Sequence, residues 1–89
     1  QAAASISQIK MTENRSAVLG LFMLMGAMID EQLIAYYDQH LQLNALPVQS
    51  ESGLRTRRNE LVKMGLLRDS GKRKKNLTGR DCIVWEVTK

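Results

Sequence analysis

Between residues 50 and 87 the chain changes its periodicity once, at Gly65, and few small folds accommodate that change. Before it, SESGLRTRRNELVKMG has helical spacing: Leu54, Leu61 and Val62 share one arc at about 100° per residue, with Met64 on the flank. Ser50 or Ser52 can cap the start by accepting a free first-turn N–H, and Gly65 suits the left-handed residue that ends a helix. After it, residues 66–70 and 80–88 read as two strands, in which Ile83, Trp85 and Val87 alternate as a half-buried strand requires. Gly71 and Gly79 bracket a basic tip. The predicted C-terminal half is therefore a helix running directly into a two-stranded hairpin.

Upstream the spacing is helical twice more. Thr12 or Asn14 can cap a first helix that runs to about Met25. Val18, Phe22, Met25 and Ile29 form one apolar row along it, and Leu21, Leu24 and Met28 a second. A helix apolar on most sides is expected at the centre of the core, with its methionines as adaptable filling. Gly26 loosens it, and residues 27–29 can run extended as a short first strand. Asp30 and Glu31 place acids at the positive end of a second helix, whose buried stripe is Leu33, Ile34, Tyr37 and Leu41. That helix should fade near Leu43 and Asn44, because Pro47 biases Leu46 away from helical backbone. Trp85 is expected in the core against the first helix, and one of Tyr36 and Tyr37 is expected to be buried. Residues 1–14 read as a tail or accessory helix and 15–89 as one domain, long enough to bury a core without staples.

Charge is distributed unequally. Residues 1–53 carry two bases against five acids, a balance of −3, and residues 54–89 carry eleven against four, a balance of +7. Between residues 54 and 80 alone, ten bases face Glu60 and Asp69, a local balance of +8. Such asymmetry predicts one face built for a polyanion. A membrane is an unsuitable polyanion, since no basic helix here has a broad exposed apolar face, and the apolar run at residues 17–29 is too short to span a bilayer. One cysteine, Cys82, and one histidine, His40, exclude an internal disulfide and give no metal-ligand set. Neither has a partner at a nucleophile's spacing, and no phosphate-cradling glycine loop or carboxylate pair is present, so neither an enzyme nor a cofactor is expected. Cysteine usage fits a reducing, cytoplasmic compartment.

On the third helix Ser52, Arg55, Thr56, Asn59 and Lys63 fall opposite the buried arc. These are the side chains that reach nucleic acids: Arg to guanine, Asn to adenine, Ser and Thr to either, Lys to phosphate. Ser52, Arg55, Thr56 and Asn59 are the predicted base readers. Arg57, on a flank, is assigned with Lys63 to the DNA backbone. Arg58, near the buried edge, is expected to be structural, pairing with Asp30 or Glu31. The tip adds Lys72, Arg73, Lys74, Lys75 and Arg80 as backbone contacts. Their mutual repulsion predicts a loop mobile until an anion neutralises it, with Arg73 or Lys74 at the apex.

These residues together resemble a winged helix-turn-helix domain of the kind frequent in bacterial and phage DNA-binding proteins. MIDEQL at residues 28–33 matches the lead-in to the helix-turn-helix, and SGLRTRRNELV at 52–62 the recognition helix. KMGLL at 63–67 matches the helix-to-strand exit, and residues 79–86 the last wing strand. The resemblance spans about residues 15–88, with a second helix and turn longer than in compact members. It implies an α+β fold of three helices, a short first strand and a two-stranded C-terminal wing. It also implies a recognition helix in the major groove of double-stranded DNA with the wing on the backbone, in a transcriptional regulator or a phage or bacterial DNA-transaction factor. A homodimer is a possible form, for which residues 1–14 could supply an extra helix. The competing expectation is a protein-interaction module whose basic hairpin docks an acidic partner. RNA binding is disfavoured because the basic face lacks exposed aromatics for stacking.

Overall fold

The computed structural model describes residues 11–89. Three helices, α1 (Glu13–Met25), α2 (Asp30–His40) and α3 (Glu51–Lys63), precede strands β1 (Leu67–Lys75) and β2 (Asp81–Val87). The result is an α+β domain with a winged-helix-like arrangement. Expectations for residues 1–10 lie outside the described residues. Glu13 and Asn14 already belong to α1, which Thr12 caps by accepting the Arg15 N–H at 3.2 Å.

Local chemistry fixes the helix ends. Gly26, at φ 87°, turns the chain out of α1, and Met28 then makes a single bridge to Trp85, which is all that forms of the expected first strand. The Gln32 side chain accepts the Ile29 N–H at 3.1 Å where α2 opens. α2 ends at His40, earlier than the apolar spacing suggested, and a turn follows through Ala45 at φ 51°. The turn closes with the Leu46 N–H on the Leu41 carbonyl at 3.1 Å. Ser50, not Ser52, caps α3, accepting from Gly53 N–H at 3.0 Å. At the other end Gly65, at φ 81°, lets the Gly65 and Leu66 amides return to Val62 and Leu61, a closure that satisfies carbonyls of the last turn.

The strands pair antiparallel from Leu67 opposite Val87 to Lys75 opposite Asp81, with a register shift between Asp69 and Arg73. β1 therefore runs five residues beyond the predicted strand. Gly71, at φ 86°, sits inside an irregularity and does not begin a loop; the Asp69 carboxylate accepts its N–H at 2.8 Å and Ser70 Oγ accepts that of Lys72 at 3.1 Å. Local side chains thus satisfy the amides that the bulge takes out of the ladder. The connecting turn shrinks to residues 76–80.

The core unites Val18, Leu21 and Phe22 of α1 with Met28, Leu33, Tyr37, Leu54, Leu61 and Leu67. Trp85 packs against it half-buried, and Tyr37 is the buried tyrosine. α1 is not buried all round. Met23 and Leu24 are 69% and 67% exposed, and Met25 is exposed as well, because the other elements cover only the Val18–Leu21–Phe22 side. The second apolar row therefore splits, with Leu21 and Met28 inside and Leu24 outside.

Candidate nucleic-acid interface

α3 buries Leu54 and Leu61 and turns Ser52, Thr56, Asn59 and Lys63 to solvent as one row. The Thr56 hydroxyl donates back to the Ser52 carbonyl at 2.9 Å, which orients its methyl and oxygen along the helix. Arg55 is exposed too, but it leans to one side of that row. It lies 4.0 Å from Glu51 and lines a cleft between the helices and the hairpin with Glu31, Asn76, Arg80 and Cys82. Of the four predicted base readers, Ser52, Thr56 and Asn59 share the outward row, and Arg55 borders the hairpin.

Arg57 is held. Its Nε and Nη2 donate to Glu60 at 2.6 and 3.1 Å, and Arg15 of α1 donates to the same carboxylate at 2.9 Å. The Arg15 bond, then that of Arg57, pulls the Glu60 carboxyl down to about 2. Arg58 has the structural place expected of it: it meets Asp30 through two bonds of 2.9 and 2.8 Å and lies 4.3 Å above the Trp85 ring. The planar guanidinium suits both contacts at once.

In the hairpin, Arg73 and Lys74 sit in the ladder opposite Ile83 and Cys82, and Leu77 occupies the turn with 93% of its surface exposed. Residues 72–75, expected in a loop, belong to β1, and the turn that follows is closed by its own hydrogen bonds. Asn76 Oδ1 accepts from the Thr78 and Arg80 amides and the Thr78 hydroxyl, and the Asn76 carbonyl accepts from Gly79. Charge repulsion is relieved because acids interleave with the bases. Arg73 pairs with Asp69 at 3.0 Å, Lys75 with Asp81 at 3.1 Å and Arg68 with Glu86 at 2.8 Å. The Gly71 amide, then Arg73, holds the Asp69 carboxyl below its usual range. Of the predicted DNA contacts, Lys63, Lys72, Lys74 and Arg80 have no ion-pair partner among the described residues; Lys63 closes the outward row of α3, and Arg80 lines the cleft beside Arg55.

Sequence spacing could have found Arg57–Glu60, an i,i+3 pair, and Lys75–Asp81 once the hairpin register was known. The Arg15–Glu60 pair and the Glu31 contact to Leu77 have no local signal. Among the described residues no group of three or more His, Cys, Asp and Glu could hold a metal ion, and no helix is long and apolar enough to cross a membrane. No protein-family model, curated protein or solved structure matches the chain.

Proposed function

We propose that this chain is a winged helix-turn-helix domain that binds double-stranded DNA, with α3 in the major groove and the β1–β2 hairpin as a wing on the backbone. The observation that carries this reading is the outward row Ser52, Thr56, Asn59 and Lys63 on α3, together with a hairpin whose Arg80 lines a cleft with Arg55 and whose Lys72 and Lys74 are exposed and have no ion-pair partner. Short polar side chains reach base edges, and the lysines, Lys63 at the end of the row with Lys72 and Lys74 of the hairpin, neutralise phosphates. Arg55 reads bases from the wing side. Arg57, Arg73 and Lys75 contribute weaker backbone contacts, because a phosphate must share each of them with a carboxylate. The work assigned is that of a transcriptional regulator or a phage or bacterial DNA-transaction factor in the cytoplasm, associated with the nucleoid when bound.

A salt titration with random duplex tests the class of partner. Binding in the micromolar range that weakens steeply with salt is the expected result. Absence of binding at low salt would sink the DNA reading and favour the rival, a protein-interaction module docking an acidic partner. Leu77, an apolar side chain 93% exposed at the turn, is the feature that favours that rival.

The proposal includes a homodimer formed through α1. From Ser16 to Ile29 the chain has no charged residue, and exposed Met23 and Leu24 lie between two shallow grooves, one floored by Gly20 and Leu21 and the other by Phe22 and Val87. Two copies that meet across such a face bring no like charges of this stretch together, and an isologous contact buries the same apolar side chains twice.

A further inference from the structure

Four consecutive residues, the last two of the α1–α2 connection and the first two of α2, hold parts of both proposed DNA-contacting elements. Met28 pairs its backbone with Trp85 of β2 in both directions at 3.0 Å, and Ile29 is buried beneath. Asp30 grips Arg58 of α3. Glu31 reaches the hairpin turn, where both carboxylate oxygens accept the Leu77 N–H at 3.2 Å. The Asn76, Thr78, Gly79 and Arg80 amides are all satisfied inside the turn, so the Leu77 N–H is the turn's one amide bonded to another element.

We infer that Glu31 is a positioning residue, whose carboxylate fixes the hairpin turn at a set distance from α3 while Asp30 beside it fixes α3. The two adjacent acids thereby determine the span between recognition helix and wing. The geometry stands alone, and its consequence for DNA rests on the function proposed above. A carboxylate beside a phosphate-binding hairpin repels DNA by its charge. Charge and position therefore predict opposite outcomes when Glu31 is removed.

Spin labels at Leu77→Cys and Thr56→Cys, in a Cys82→Ser background, report that span in the free protein. A narrow distance distribution is expected with Glu31 present, a broad one in Glu31→Ala, and a narrow one again in Glu31→Gln, whose amide oxygen still accepts. Identical distributions with and without the Glu31 side chain would overturn the tether. On a selected duplex, Glu31→Ala is expected to bind about three- to tenfold more weakly than Glu31→Gln, the scale of one neutral hydrogen bond. Equal or tighter binding by Glu31→Ala would show that only the charge matters and overturn the positioning role in recognition. If no duplex binds even the unsubstituted protein, the proposed function fails, and the distance measurement still decides the tether.

Discussion

Glu60 accepts hydrogen bonds from guanidinium groups on two helices, Arg15 of α1 and Arg57 of α3. Its carboxyl titrates at about 2 in the fold against an ordinary 4.5, so the unfolded chain binds that proton more readily than the folded one. Stability from this group is complete above roughly pH 5 and is lost as pH falls through the carboxylate range toward the folded value. Glu60→Gln is expected to cost on the order of 1 kcal/mol at pH 7, since the site is partly solvent-screened. It should also flatten the acid limb of the stability profile. Urea midpoints at pH 7 and pH 3 check both, and an acid limb as steep as before would remove Glu60 from the account. Ala45 offers a second residue-scale test. Its φ of 51° strains any side chain with a Cβ, so Ala45→Gly should raise stability by about 0.5–1 kcal/mol, read as a higher melting temperature.

α3 was legible almost to the residue, because its cap, apolar arc and terminal glycine act within one turn of themselves. The placement of Arg58 followed from the same helical angles, and its partner proved to be Asp30. β1 was not legible past Ser70. Glycine and four consecutive bases look like a loop in sequence, and only the acids across and along the hairpin, Asp69 and Asp81, let those bases stand in a ladder. The buried side of α1 was half legible: its apolar spacing is real, but which row faces out depends on how many neighbours the fold supplies. These elements divide the expected DNA energetics. Asn59→Ala, in the outward row of α3, should cost roughly 1–3 kcal/mol on a selected site and relax specificity there. Lys74→Ala, on an unpaired wing cation, should weaken all duplexes alike and lower the salt slope by about one. Equal loss on selected and random duplex for Asn59→Ala would move base reading off this helix.

At the scale of the whole molecule, the acid excess of residues 1–53 and the base excess of residues 54–89 do not remain separate in space. Asp30 and Glu31 enter the cationic half as anchors, and Glu60 draws Arg15 toward it. What stays uncharged is the outer side of α1 from Ser16 onward, and the proposed self-association rests on it. A two-fold dimer built there carries two copies of α3, so two half-sites related by a two-fold axis are expected in DNA selected from a random library. Leu24→Glu places a charge at a position already 67% exposed, so stability should change by less than about 0.5 kcal/mol. Across the two-fold axis the same change sets two carboxylates against one apolar face. Light scattering should then report a monomer that still binds a single half-site but loses the gain from a palindrome. A substituted chain that kept both its dimer mass and its preference for paired half-sites would place the contact elsewhere on the molecule.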